Sequence, residues 1–256
     1  MNIVAIIPAR MGSSRFPGKP MAKIHGLPMI AHVYFRTRLC SLLSDTYVAT
    51  CDKEIYDYLF SIGGKAIMTA NTHERCTDRT AEAMLKIEKM MGDKIDIVVM
   101  VQGDEPMITS EMIEQAVKPL IDDSDISVVN LMGKLTSVDE FEDPNEVKVV
   151  VDKNNNALYF SREPIPSRKK GIKNVSMYKQ VCIIPFRRDY LLKFNEMPET
   201  LLEQIESVDM LRILEHGEKV RMVSCDTINQ SVDTPEDLEK AENLMRNDPL
   251  MKTYMN

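Results

Sequence analysis

The hydrophobic pattern opens with an uninterrupted apolar, β-branched run, Ile3-Val4-Ala5-Ile6-Ile7, of the kind that fills a strand buried on both faces. A polar, glycine-containing stretch follows as far as Pro20, and from about Pro28 to Ser41 the pattern becomes that of an amphipathic helix. The alternation then repeats. A strand is predicted over Thr46–Thr50 and a helix over Glu54–Ile62, stopped by Gly63-Gly64. A strand over Lys65–Thr69 and a helix over Thr80–Met91, with Met84, Ile87 and Met91 on one face, lead to a buried strand over Ile95–Val101. This βαβα rhythm predicts an α/β fold with a mostly parallel sheet between helices on both sides.

The second half is less regular. Strands are expected over Ile126–Met132, Glu146–Asp152, Ala157–Phe160 and Lys179–Pro185, and helices over Arg188–Phe194, Leu202–His216 and Pro235–Arg246. Between them, Arg162–Ser176 holds Pro164, Pro166 and several basic residues without an apolar period, and reads as a loop or lid edge. The last helix has a well-marked start in Asp233-Thr234-Pro235-Glu236-Asp237: Thr234 can cap, and Asp237 stands three residues later. There is no clean linker, so the 256 residues read as a single domain.

Composition narrows the function classes. Hydrophobic content of 44% and charged content of 28% are ordinary for a globular protein, and no run approaches a membrane span. The chain enters its first strand with no secretory signal pattern, and its five cysteines are dispersed with no C-x-x-C, which suits reduced thiols in a cytoplasmic protein. A net charge of -7 argues against a general nucleic-acid partner.

Against that acidity, the loop after the first strand is locally basic: Arg10, Arg15 and Lys19 lie in Ile7-Pro8-Ala9-Arg10-Met11-Gly12-Ser13-Ser14-Arg15-Phe16-Pro17-Gly18-Lys19-Pro20. Ligands of open α/β sheets sit at strand carboxyl ends. Gly12 and Gly18 allow tight folding, Ser13 and Ser14 offer hydroxyl donors, and the cations point to a polyanion. The loop is neither a Walker A nor a G-x-G-x-x-G sequence, which disfavours P-loop ATPase and dinucleotide readings. A second strand end, Val101-Gln102-Gly103-Asp104-Glu105-Pro106, supplies carboxylates suited to Mg2+, or to satisfying a turn. Asp233 is either a further metal ligand or the cap of the last helix. Thr77-Asp78-Arg79 opens a helix whose amides can take a polar ligand edge, or is an ordinary cap. Arg162, in Phe160–Pro166, can fork a carboxylate or lie on the surface. The four histidines show no metal or triad spacing.

Together these segments resemble the 3-deoxy-manno-octulosonate cytidylyltransferases, also called CMP-KDO synthetases. The matching pieces are Ile7–Pro20, Thr77-Asp78-Arg79 with Ala81-Glu82, Val101–Met107, Pro144–Val150, Ala157–Pro166 and Val232–Leu238, in the family's order over most of the chain. The resemblance implies an α/β, Rossmann-like three-layer nucleotide-diphospho-sugar transferase fold with a mostly parallel sheet, and Mg2+-dependent transfer of CMP from CTP to an acidic sugar, as a step of lipopolysaccharide biosynthesis, by a cytoplasmic homodimer. It also implies a nucleotide-binding half at about 1–130 and an acceptor-binding and dimer-forming half at about 131–256. By position, Pro8, Ala9, Arg10, Ser13, Arg15, Lys19, Thr77 and Gln102 correspond to the nucleotide set, with Lys19, Arg15 and Asp104 catalytic. Asp104 and Asp233 correspond to the metal ligands, and Gln102, Arg162, Gln180, Asp209 and Met210 to the acceptor side. The chain departs from the family pattern at Arg75-Cys76, where Ser-Gly is usual. It departs again at Gln180 for His, at Ile184 near a usual Tyr, and at Asp209-Met210 for Glu-Gln. KDO is the expected acceptor, with a modified ulosonic acid such as 8-amino-KDO, or another acidic sugar, as the alternative. A non-catalytic sugar-nucleotide sensor is the alternative of a different class.

Overall fold

The computed structural model describes residues 1–13, 15–171, 175–227 and 229–255. In chain order its elements begin β1 (Ile3–Ala9), the short pair β2 (Lys23–Ile24) and β3 (Leu27–Pro28), α1 (Met29–Arg38), β4 (Asp45–Thr50), α2 (Lys53–Ser61), β5 (Ala66–Met68), α3 (Cys76–Met91), β6 (Ile97–Val101) and α4 (Ser110–Asp122). They continue with β7 (Val129–Lys134), α5 (Val138–Glu142), β8 (Lys148–Val151), β9 (Ala157–Ser161), β10 (Tyr178–Val181), β11 (Ile183–Arg187), α6 (Arg188–Glu196), α7 (Leu201–Glu206), α8 (Met210–Glu215), β12 (Arg221–Cys225) and α9 (Pro235–Met245). A 3-10 turn at Pro249–Thr253 ends the chain. Two compact units result: Met1–Glu114 with Ile228–Asn256, and Gln115–Thr227.

In the first unit β6, β1, β4 and β5 lie side by side, all parallel, with Ile6 opposite both Tyr47 and Met100. All seven residues of β1 and all five of β6 are buried. Since successive strand residues face opposite ways, both faces of the sheet are covered, giving the three-layer α/β arrangement. Parallel pairing brings the carboxyl ends Ala9, Thr50, Met68 and Val101 to one edge, so the loops after them share that edge. The β2–β3 hairpin turns on His25 and Gly26, both with positive φ, as a two-residue type I′ turn requires. After its excursion the chain returns to this unit. Val232, Ala241 and Met245 pack with Ile24 and Met29 in one buried cluster. Arg36 of α1, 2% exposed, donates to Ile108 O at 2.7 Å and pairs with Asp248 at 2.6 Å.

The second unit holds a mixed sheet in the order β12-β7-β10-β8-β9, antiparallel except for the β12–β7 pair. Here the structure corrects several expectations. The run expected as one strand over Lys179–Pro185 is two strands, β10 and β11, divided at Cys182. The helix expected over Leu202–His216 is two short helices, because Ser207 takes a left-handed φ of 53° and ends α7. No glycine marks that break, which is why the apolar pattern reads through it. β12 and α4 have no counterpart in the sequence reading; α4 carries Pro119 inside it, and an internal proline ordinarily argues against a helix. Part of the loop read over 162–176, residues 172–174, lies outside the described residues, as does Ser14.

Candidate active site

The loop after β1 is folded on itself by its own backbone. Ser13 N and Gly18 N both donate to Met11 O at 3.0 Å, and Phe16 N donates to Ser13 Oγ at 3.3 Å. Gly18 has φ 76°, a value that suits glycine, and turns the chain into a 3-10 turn at Lys19–Met21. The loop is tied to the next strand end by Met11 N donating to Asp52 Oδ2 at 2.7 Å. Asp52 carries no motif in the sequence; only the parallel pairing of β1 with β4 brings it here.

Lys19 is the centre of the site. Its ammonium donates to Asp104 Oδ2 at 2.8 Å, to Val232 O at 2.7 Å and to Asp233 Oδ1 at 3.2 Å. Those three acceptors match its three donors. Arg15 reaches Asp233 Oδ1 at 2.9 Å from a more open position, its side chain 45% exposed against 13% for Lys19. Burial works against the charge on Lys19, but Asp104 and Asp233 outweigh it and hold the lysine above its usual pKa. The structure thus joins Arg15, Lys19, Asp104 and Asp233, which are spread over more than 200 residues of sequence.

Asp233 does not cap α9. The cap is Thr234, whose hydroxyl accepts from Asp237 N at 3.2 Å, while the Asp237 carboxylate reaches back to Thr234 N at 3.0 Å. The capping alternative for Asp233 is therefore removed, and its carboxylate faces the two cations. Gly103 explains how the β6 end comes so near the loop: a Cβ there would stand 3.1 Å from Pro8 O and 3.4 Å from the Ala9 side chain. Gln102, beside it, is half-buried, and its carbonyl accepts from Glu105 N in a tight turn.

Pro8, Ala9 and exposed Arg10 line a small cleft of about 40 Å³ with His73, Glu74, Arg75, Cys76 and Arg79. The helix beside it begins at Cys76, four residues before the expected Thr80. The Thr80 hydroxyl donates to Cys76 O at 2.8 Å, and buried Arg79 turns back to Ala70 O and the Thr69 hydroxyl, so Thr77-Asp78-Arg79 is the first helical turn rather than its prelude. The Thr77 side chain is wholly buried. Glu82, one turn on, belongs to the matched Ala81-Glu82 pair but carried no assigned role; it accepts from Ala70 N and also pairs with His73 and Lys86. Desolvation opposes its charge, yet these donors bring its pKa down to about 2.

Of the acceptor-side residues, Gln102 lies in the first unit, and Arg162, Gln180, Asp209 and Met210 lie in the second. Arg162 donates through Nε to Glu206 O at 2.7 Å and through Nη1 to Pro144 O at 2.8 Å. Gln180 Nε2 donates to Asn130 Oδ1 at 2.6 Å, on the adjoining strand β7. Asp209 precedes α8 as its N-cap, and the Met210 side chain is completely buried.

Asp104 and Asp233 are the residues suited to a metal. They are hard oxygen donors from two loops, and both lie within hydrogen-bond distance of one positive centre. Among the described residues no group of three or more His, Cys, Asp or Glu side chains is placed to hold an ion. A cation here would complete its shell with ligand oxygens, the habit of Mg2+ beside phosphates.

Comparison with known proteins agrees with this geometry. A family model described as cytidylyltransferase matches residues 4–220. A 3-deoxy-manno-octulosonate cytidylyltransferase of Pelobacter propionicus is 43% identical over 96% of this chain and 98% of its own length. One of Geotalea uraniireducens is 44% identical over 94% and 97%. Among solved structures, a CMP:2-keto-3-deoxy-manno-octonic acid synthetase complexed with CTP superposes with a TM-score of 0.88 at 40% identity, covering 97% of this chain and all of that one. A 4-diphosphocytidyl-2C-methyl-D-erythritol synthase from Anaerococcus prevotii, 14% identical with a TM-score of 0.61, shares the fold. With a basic glycine loop facing two carboxylates at the strand edge and full-length relatives of one kind, the chain is a nucleotidyltransferase that belongs to the 3-deoxy-manno-octulosonate cytidylyltransferase family.

Proposed function

We propose that this chain transfers the cytidylyl group of CTP to KDO, forming CMP-KDO and releasing pyrophosphate. The observation that carries the reading is the convergence of Lys19 and Arg15 with Asp104 and Asp233 at the carboxyl edge of the parallel sheet. A hydroxyl oxygen of the sugar attacks the α-phosphorus and loses its proton. A new P–O bond forms, and the bond to the β-phosphate oxygen breaks. Such a reaction needs little covalent help from protein and much neutralisation of phosphate charge. Lys19 and Arg15, with Arg10 and Ser13, are assigned to the triphosphate, and Pro8, Ala9, Thr77 and Gln102 to the nucleoside. The Lys19 ammonium offsets two neighbouring carboxylates and is assigned to phosphate oxygens of the nucleotide.

Asp104 and Asp233 are assigned to Mg2+, which when bound neutralises phosphate charge. On the acceptor side, Arg162 and Gln180 are assigned to the acid and its hydroxyls, with Gln102 between base and sugar. Asp209 and Met210, at the start of α8, are assigned to the same side, the Met210 side chain being fully buried. The relatives' common name supports KDO over a modified ulosonic acid, and the paired carboxylates support an enzyme over a sensor. The reading extends to a cytoplasmic homodimer serving lipopolysaccharide synthesis; among the described residues no helix is long and apolar enough to cross a membrane.

The test is pyrophosphate release from CTP and Mg2+ with a panel of acidic sugars. Release with KDO above that with 8-amino-KDO supports the reading. A preference for another acid overturns the acceptor, and CTP binding without pyrophosphate release in any mixture overturns the enzyme.

A further inference from the structure

Glu105 is a buried carboxylate that the reaction above does not use. It is 2% exposed, one residue beyond Asp104, and accepts a hydrogen bond from Asn229 Nδ2 at 2.5 Å. Asn229 begins the strap that leads to Asp233. Two further bonds fix the same strap. Val232 N donates to Asp104 O at 3.0 Å, and Val232 O accepts from Lys19 Nζ at 2.7 Å. The Val232 side chain, wholly buried, anchors it from below beside Ile24, Met29, Ala241 and Met245. The ring is closed: Glu105 to Asn229, along the strap to Val232, and back to Asp104 and Lys19. A buried carboxylate is costly to keep, so one with no direct task at the reacting phosphate needs a reason.

We infer that Glu105 is a positioning residue, which through Asn229 holds the 229–233 strap so that Asp233 faces Asp104 and Lys19. The inference rests on the proposed cytidylyl transfer for its kinetic consequence, but not for its structural one. Slack of about 1 Å in such a site can cost about 10²-fold in rate. The requirement is an acceptor oxygen at the right reach, not a charge. Gln presents an oxygen at the same distance as Glu, whereas Asp is one methylene short and Ala offers none.

The experiment uses the full chain with Glu105→Gln, Glu105→Asp and Glu105→Ala, read by turnover with CTP and KDO, KM for CTP, and hydrogen exchange of the Val232 amide. Expected results are turnover down about 10²-fold in the Ala and Asp variants, rescue to within about fivefold in Gln, and KM for CTP changed less than turnover. Val232 exchange should quicken about tenfold in Ala and Asp and stay near wild type in Gln. Leu59→Ala, a buried change in α2 away from the site, serves as the stability control and should leave Val232 exchange and turnover unaltered. If Glu105→Ala does not fold, Asn229→Ala removes the same bond from its half-buried end and is read in the same way. A Gln variant as impaired as Ala would mean the charge itself acts, and would overturn the inference; so would unaltered exchange and turnover in Ala. Failure of the wild type to release pyrophosphate would overturn the proposed function alone, because exchange at Val232 is measured without turnover.

Discussion

Replacing Lys19 by Ala is the sharpest probe of the site, because two effects of different size follow and can be separated. The substitution removes an ammonium with all three donors engaged, at 2.7 to 3.2 Å. Hydrogen bonds to charged groups contribute about 1.5–3 kcal/mol each, but desolvating a largely buried ammonium costs several kcal/mol. Asp104 and Asp233 keep about a fifth of their side-chain surface exposed, so water can solvate them once the lysine is gone. A net loss of ~1–3 kcal/mol results, a shift of about 2–12 °C in Tm at 2–4 °C per kcal/mol for a chain of this size. That is well short of the 5–15 kcal/mol typical of a folded protein, so the variant should remain folded at 25 °C. Losing one preorganised group that stabilises phosphate charge, by contrast, lowers turnover by ~10²–10³-fold. Stability therefore cannot account for the expected kinetic loss. The measurements are a thermal melt followed by circular dichroism and pyrophosphate release at saturating CTP and KDO. The alkaline limb gives an independent check. With its folded pKa raised, Lys19 contributes stability that is fully present below 10.5 and is lost as pH rises through the higher folded value, so the variant should lack that part of the alkaline destabilisation. Wild-type turnover in a folded Lys19→Ala protein would refute the assignment.

Further expectations follow from other parts of the molecule. Asp104→Asn and Asp233→Asn should each raise the Mg2+ concentration needed for activity, with non-additive effects, whereas Thr234→Ala should cost ~1 kcal/mol of stability and leave the Mg2+ requirement alone; the same requirement in Asp233→Asn as in wild type would remove Asp233 from the metal. Glu82, with its pKa lowered to about 2, contributes stability that is present above its unfolded value of 4.5 and is lost as pH falls toward about 2; in Glu82→Gln the acid limb of a stability–pH curve should flatten over that window. Glu203, fully buried and bound through both oxygens to Arg212 at 2.6 and 2.7 Å, should cost ~3–5 kcal/mol when changed to Ala, because a buried guanidinium loses its bidentate carboxylate and keeps the more distant Glu199 carboxylate at 3.8 Å; a denaturation midpoint near wild type would contradict this.

What the sequence determined by itself is what short-range chemistry writes. The apolar runs of β1 and β6 could only be strands covered on both faces. The basic glycine loop pointed to a polyanion, a reading its residues carry without any neighbour, and Thr234 with Asp237 wrote its own helix start. The family pattern also singled out Lys19, Arg15, Asp104 and Asp233, but left Asp233 between metal ligand and helix cap. Tertiary structure removed the cap reading, because the returned strap at 229–233 brings Asp233 to Lys19 while Thr234 takes the capping role. It also decided which carboxylates serve the scaffold. Asp52 supports the loop through Met11 N, and Glu105 binds Asn229, 124 residues away, with no local signal for either. The breaks at Ser207 and Cys182 were likewise hidden, since neither residue is a glycine or proline. The physical reason is the same in each case. Periodicity and capping are set by neighbours within a turn or two, whereas a partner contributed by a distant loop is fixed by how parallel strands align their ends, and that alignment exists only once the chain has folded.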